Sequence, residues 1–117
     1  VRLETHNVRL TMANTPEIFA DAQVLVEAFD APDAKTELVG GFSHAFPDRP
    51  IVMASGLAGY GPGNTVRVHK MGARLYVVGD MEAAARPGTG LMAPRVGVAA
   101  HLQANAVLRL LLGEEAE

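Results

Sequence analysis

VLVEAFDAPD at residues 24–33 is the stretch of sequence that decides the fold. Residues 24–29 are an apolar run of strand length, which is typical of a parallel strand covered by helices on both faces. Asp30 follows directly, and Pro32 stands where the first position of a helix is expected. The stretch therefore predicts a buried strand that leads straight into a helix.

A second strand of the same kind follows, so the chain predicts a β-α-β unit. The intervening helix is expected to extend to about Phe46, although Gly40 and Gly41 in its middle each weaken it by about 1 kcal/mol. Prolines beyond Phe46 end it. The apolar run at residues 51–55 is the next strand, and we expect it to lie parallel to the first.

A glycine-rich loop and a hairpin come next. Residues 56–64 are rich in glycine and are expected to form a turn or loop. Residues 65–70 and 74–78 predict the two strands of a hairpin. Residues 81–90 show no periodic spacing of apolar residues and predict a long loop. Together these elements indicate an α/β fold whose mixed sheet combines a parallel βαβ core with a hairpin.

The two ends of the chain carry the remaining elements. Alternation within residues 1–12 predicts one or two short strands, and a short helix is expected to begin near Thr15. Residues 94–112 predict a mostly buried helix with one narrow polar stripe, and Gly113 suits the position just beyond it. The acidic residues 114–117 are expected to fray, because carboxylates are unfavourable at a helix C-terminus.

Length and charge limit the class of protein. We expect residues 1–117 to form a single domain. The formal net charge of −3 and the scattered basic residues exclude an electrostatic footprint for nucleic acid or an anionic membrane. The longest apolar run is too interrupted to span a bilayer. We expect a cytoplasmic protein and, because it opens at Val1 without Met, a fragment of a longer one.

The absence of cysteine limits the chemistry. A chain without cysteine has no disulfide, no thiolate metal ligand and no thiol nucleophile. Its four histidines have no spacing with acids that is typical of a metal site. We therefore expect no zinc.

Asp30 is the strongest candidate for chemistry. A residue directly after a parallel strand lies at the carboxyl edge of the sheet, where open α/β sheets bind ligands. A carboxylate there suits magnesium beside a triphosphate, although aspartate is also common as a helix cap and this alternative stays open. Lys35 is a candidate cation for a phosphate of the cofactor or for a neighbouring acid, although a solvated surface lysine is the favoured alternative. Arg95 is a candidate for binding an anion, and an ordinary surface salt bridge is its favoured alternative.

The glycine-rich segment is the second candidate. It contains enough glycine for a ligand or a peptide to approach the backbone closely. Because it precedes a strand and not a helix, it is a poor phosphate loop, and a simple turn is the alternative interpretation. Its candidate binding residues are Gly56, Gly59, Tyr60 and Gly61.

Three segments of the chain resemble the latter half of the ThiF/MoeB/HesA family, whose members are similar to ubiquitin-activating enzymes. They are VLVEAFD at residues 24–30, IVMASGLAGYG at residues 51–61 and GLMAPRVGVAAHLQA at residues 90–104. Their order and spacing carry the resemblance, which covers nearly the whole chain and is closest to the ThiF-like branch. It implies the C-terminal part of a Rossmann-like fold, without the N-terminal nucleotide-binding half.

The resemblance also implies an activity. Members of the family are usually homodimers that use ATP and magnesium to adenylylate the C-terminal glycine carboxylate of a small ThiS-like β-grasp sulfur carrier protein. In ThiF this reaction serves synthesis of the thiamine thiazole. Asp30 matches the family's strand-end aspartate, which binds magnesium near the α-phosphate, and the segment from Gly56 to Gly61 matches the region near the carrier's tail.

Three departures from the family limit what is expected of the chain. The glycine-rich nucleotide loop, the ribose-binding acid and the basic phosphate contacts precede this segment in relatives, so the chain alone is expected to be inactive. The zinc-binding Cys-x-x-Cys pairs and the crossover-loop cysteine of some relatives are missing, which leaves adenylylation without thioester or persulfide chemistry. Ala31 stands where relatives often have Asn.

Two other functions stay open. One is a non-enzymatic α/β protein-interaction module, in which the glycine-rich segment and the hairpin bind a partner and Asp30 only caps a helix. The other is the end of a nicotinamide-dependent dehydrogenase, which requires a cofactor fingerprint upstream.

Overall fold

The computed structural model describes residues 1–117 as a mixed four-stranded sheet with three α-helices. The elements are α1 (Thr15–Ile18), β1 (Leu25–Val26), α2 (Pro32–Ala45), β2 (Ile51–Ala54), β3 (Arg67–Met71), β4 (Leu75–Gly79) and α3 (Ala93–Leu111), with a 3-10 turn at Gly63–Thr65. The strand order is β1-β2-β4-β3. The predicted α/β class with a mixed sheet is confirmed.

Both predicted supersecondary units are present in the sheet, but β1 is shorter than the predicted run at residues 24–29 and is not covered on both faces, since it is the edge strand and Val26 is 44% exposed. β1 and β2 pair in parallel, with Leu25 beside Ile51, and α2 connects them. β3 and β4 form the antiparallel hairpin, and β4 lies parallel to β2. Because β1, β2 and β4 share one direction, their last residues meet at one side of the sheet, which we call the carboxyl edge: residues 27–30, 55–56 and 79–80.

The two long helices cover opposite faces of the sheet. Neighbouring residues of a strand point to opposite faces, and Ile51 packs with α2 whereas Val52 packs with α3. Phe42 of α2 is completely buried, which stabilises the fold by about 2–3 kcal/mol. The α2 side consists of Leu25, Leu38, Phe42 and Ile51, and the α3 side includes Val52, Tyr76, Val78, Ala99 and Ala106.

The first twelve residues differ from their prediction, because they contain no strand. Residues 1–9 are exposed and have no strand to pair with, so their alternating pattern alone does not form a sheet. α1 begins at Thr15, as predicted. Gly41 of α2 allows this end of the chain to pack closely, since a Cβ there would lie 3.2 Å from both Met12 Cα and Thr15 Cβ.

Helix α3 has the predicted ends but not the predicted burial. Gly113 follows it with a φ of +79°, the left-handed conformation expected just beyond a helix. Only one face is buried, through Arg95, Ala99, Gln103 and Ala106, because a single sheet face covers it. None of the helices combines the length and the apolar character that crossing a membrane requires.

The acidic tail is also corrected by the structure, because it is packed and not frayed. Ala116 is 2% exposed and belongs to the core on the α3 side. Arg109 Nε donates a hydrogen bond to the Glu115 carbonyl oxygen at 2.7 Å, and Lys70 Nζ lies 2.9 Å from the Glu115 carboxylate. These contacts fix the tail on the sheet after the helix has ended.

Candidate functional site

Asp30 lies at the carboxyl edge, as predicted, in the turn between β1 and α2. Its side chain is exposed and takes part in none of the ion pairs of the chain. The N-cap of α2 is Ala31, and no side chain caps the helix. Asp30 therefore does not serve as a helix cap, and its carboxylate is free to bind a ligand from solvent.

Lys35 of α2 is bound to a neighbouring acid. Its Nζ lies 2.8 Å from Oε2 of Glu27, whose side chain is fully buried, and it also donates to the Ala54 carbonyl oxygen at 3.1 Å. The other carboxylate oxygen of Glu27 accepts the backbone N–H of Phe29, which turns the chain at the end of β1. The favoured interpretation of Lys35 as a solvated surface lysine is therefore wrong, because its ammonium is bound to a buried acid.

The glycine-rich segment begins where β2 and β4 come unusually close. A Cβ on Gly79 would lie 1.5 Å from the Ser55 carbonyl oxygen, so only glycine fits there. Gly56 has a φ of +76°, and a Cβ on it would lie 2.2 Å from Asp80 Oδ1. The segment is therefore fixed at its first residue by the end of β4.

The middle of the segment is held by the long loop that precedes α3. Ala58 N–H donates to the Ala83 carbonyl oxygen at 3.0 Å, and Gly59 N–H donates to the Gly90 carbonyl oxygen at 2.9 Å. Tyr60, by contrast, is 92% exposed. The segment is thus more than a simple turn, because it is a fixed backbone that presents an aromatic side chain to solvent.

Arg95 of α3 holds the far end of the same segment. It is 5% exposed, and its Nη1 donates to the carbonyl oxygens of Gly61 at 3.0 Å and Pro62 at 2.9 Å. Its Nη2 pairs with Oδ2 of Asp80. The salt bridge predicted for Arg95 is present, but the prediction of a surface pair is wrong, because the packing of α3 on the sheet buries the Arg95 side chain.

Asp80 is a site residue that the sequence interpretation missed. The sequence contains a signal for Asp80, because this acid directly follows the apolar strand β4, just as Asp30 follows the apolar run at residues 24–29. Burial opposes ionisation of Asp80, but hydrogen bonds from the backbone N–H groups of Ala83 and Glu82, together with the Arg95 guanidinium, outweigh burial and lower its pKa. Asp80 is therefore a structural carboxylate.

The charges at the carboxyl edge leave Asp30 distinct from its neighbours. Glu27 is neutralised by Lys35, and Asp80 by Arg95. No group of three or more His, Cys, Asp or Glu side chains is arranged to hold a metal ion. A single free carboxylate fits magnesium, which is usually held by one or two carboxylates together with substrate phosphates and water.

Comparisons with protein families, curated proteins and solved structures found no match to this chain. The resemblance to the ThiF/MoeB/HesA family therefore stays a prediction. It rests on the three quoted segments, of which the one at residues 24–30 ends at the carboxyl edge and the one at residues 51–61 passes through it.

Proposed function

We propose that the chain is the second half of an ATP-dependent adenylyltransferase of the Rossmann-like ThiF/MoeB type, acting in the cytoplasm. Its substrate would be the C-terminal glycine carboxylate of a ThiS-like β-grasp sulfur carrier protein, and its product would serve thiamine thiazole synthesis. The observation that carries the proposal is the free, exposed carboxylate of Asp30 at the carboxyl edge, next to the end of β2 from which the glycine-rich segment starts.

The reaction explains why these groups belong together. A carboxylate oxygen of the carrier attacks the α-phosphorus of ATP, the bond from that phosphorus to the bridging oxygen breaks, and pyrophosphate leaves. Magnesium, when bound, offsets the negative charge that gathers between the carboxylate and the phosphates. Asp30 is the residue of this chain that would hold the ion, and no second acid at the edge competes for it, because Glu27 and Asp80 are paired.

The glycine-rich segment is suited to hold an extended peptide tail. Tyr60 and Gly61 are exposed, so a main chain could lie against the segment there, beside the Tyr60 ring. Gly59 is buried, and the room left by its missing side chain lies toward Thr89 of the same chain. The bonds from Arg95 to Gly61 and Pro62 keep this backbone in place before the tail arrives. A preformed binding surface loses less conformational entropy when the ligand binds.

The open edge of β1 supports a place for the nucleotide-binding half. β1 is the outer strand of the sheet and pairs only with β2, so alternate backbone groups of β1 point away from β2 without a strand to pair with. A further parallel strand along this edge would end beside Asp30. The missing phosphate-binding residues would then meet the carboxylate that binds the metal.

ATP–pyrophosphate exchange by the complete gene product tests the proposal. With a carrier protein that ends in Gly-Gly, we expect exchange that depends on the carrier and on magnesium, and about a 100-fold loss or more in Asp30→Ala. Asp33→Ala is the matched control, since Asp33 is also exposed and lies three residues further on in the first turn of α2. No exchange by the complete protein, or full exchange by Asp30→Ala, would refute the assignment.

A non-enzymatic interaction module is the second candidate function, and the 92% exposure of Tyr60 favours it. Such a module would bind a carrier-like peptide without nucleotide. Binding of a Gly-Gly-ended carrier by the complete protein, unchanged by ATP, by magnesium and by Asp30→Ala, would support this function over the adenylyltransferase.

A further inference from the structure

We propose that α3 pairs antiparallel with α3 of a second copy of the chain, about a two-fold axis that passes next to Ala104. The solvent-facing side of α3 carries the pattern of a helix that packs against another helix. Residues spaced alternately by four and three form one seam along this side: Gly97, His101, Ala104, Leu108 and Leu111. This is the spacing of a heptad seam.

The apolar side chains along this side of α3 are open to solvent in the single chain. Leu108 is 56% exposed, Leu111 is 52% exposed and Leu112 is 71% exposed. Contiguous exposed apolar surface of this kind marks an interaction site.

The sizes of the side chains fit a second copy in antiparallel register. A two-fold axis at Ala104 places each residue opposite the one equally far on the other side of 104. Leu111 then faces Gly97 of the partner helix, and Leu108 faces Ala100. Each leucine of the seam meets a small residue, and Ala104 meets itself, which allows close approach of the two helices. His101, the remaining seam residue, faces Val107 of the partner helix.

The charges fit the same register. The exposed side of α3 carries no Asp, Glu or Lys, since Arg95 is buried and Arg109 is bonded to the tail. Two identical faces therefore meet without repulsion, as a two-fold interface requires.

The ends of the helices are complementary as well. Glu114 lies just beyond the C-terminus of α3, where a carboxylate is unfavourable for its own helix. The first turn of α3 contains no acid, and no side chain caps it. In the antiparallel pair Glu114 comes opposite residue 94 of the partner helix, where its charge is favourable.

Sedimentation equilibrium of the chain tests the pairing. We expect a monomer–dimer equilibrium, and Leu108→Glu should raise the dissociation constant at least about 30-fold, because each dimer then buries two carboxylates in the seam. Leu3→Glu is the matched control, since Leu3 is also exposed but lies outside the helices. A chain that is monomeric at every concentration, or equal effects of the two variants, would overturn the proposal.

Gly97→Gln separates pairing from folding. A Cβ at Gly97 meets open space in the single chain, and glutamine is a better helix former than glycine, so the variant monomer should have a raised Tm. In the dimer the same side chain collides with Leu111 of the partner copy and should weaken association. A variant that unfolds at a higher temperature and still dimerises as well as the wild type would contradict the predicted register.

Crosslinking fixes the direction of the two helices. Because the chain has no cysteine, Gly97→Cys and Leu111→Cys each carry one thiol. A short bismaleimide should join the two variants efficiently only when they are mixed. Efficient crosslinking within either variant alone would indicate a parallel pair, and no crosslinking in the mixture would overturn the antiparallel one.

Discussion

Lys35 Nζ lies 2.8 Å from Oε2 of Glu27, a carboxylate that is completely removed from solvent. The same ammonium donates to the Ala54 carbonyl oxygen. One side chain of α2 therefore joins the ends of β1 and β2, directly below the turn that presents Asp30. This pair keeps the two parallel strands and their connecting helix in fixed positions at the carboxyl edge.

Removal of the Lys35 charge should destabilise the fold. Lys35→Met leaves the Glu27 carboxylate buried and unpaired, and we expect a loss of about 2–3 kcal/mol in the free energy of unfolding, since the ammonium itself is 22% exposed. Urea denaturation at pH 7 measures the loss. Lys70→Met, which breaks the exposed pair with Glu115, should change little. Adding Glu27→Gln to Lys35→Met should restore part of the stability; if it does not, the unpaired charge is not the cause.

Acid should weaken the fold in part through Asp80. The pKa of Asp80 is lowered in the folded chain, so its contribution to stability is complete above the ordinary aspartate pKa of about 4 and is lost as the pH falls toward the lower native value. Asp80→Asn should therefore reduce stability at pH 7 and flatten the decline of stability below pH ~4. Denaturation midpoints measured from pH 7 to below pH ~4 test both effects. If the stability of Asp80→Asn declines with falling pH as steeply as that of the wild type, Asp80 is not the group responsible.

The contact between β4 and β2 should not tolerate a side chain. Gly79→Ala directs a methyl group at the Ser55 carbonyl oxygen, and we expect a loss of roughly 3 kcal/mol or more. Gly63→Ala meets no atom within 4 Å and should be nearly neutral. Thermal unfolding of the two variants measures the difference, and equal stability would show that the strand ends separate easily.

The tail should contribute to the core. Ala116→Asp places a carboxylate among Val52, Val66 and Tyr76 of the α3 side, which we expect to cost about 2 kcal/mol. Ala84→Asp, at an exposed position in the long loop, is the matched control. Chemical denaturation compares the free energies of unfolding of the two variants. An Ala116→Asp variant as stable as the wild type would mean that the tail detaches from the core without loss of stability.

Much of the fold follows from local patterns. The apolar runs, the proline at the start of α2 and the glycines of the loop predicted β1, α2, β2 and the hairpin. They could do so because strand and turn preferences act over a few residues. The prediction failed at residues 1–12, where alternation has no neighbouring strand to pair with. It also failed for the tail and for the exposed side of α3, because burial depends on what packs against a helix or tail after folding.

The sequence by itself determined that acids would stand at the carboxyl edge, since Asp30 follows the apolar run at residues 24–29 and Asp80 directly follows the apolar strand β4. Only the tertiary structure decided which carboxylates are neutralised. Glu27 and Asp80 meet Lys35 and Arg95 once α2 and α3 have packed on opposite faces of the sheet. Asp30 stays free because no helix carries a cation to it, and such pairings depend on distances in space that spacing along the chain does not encode.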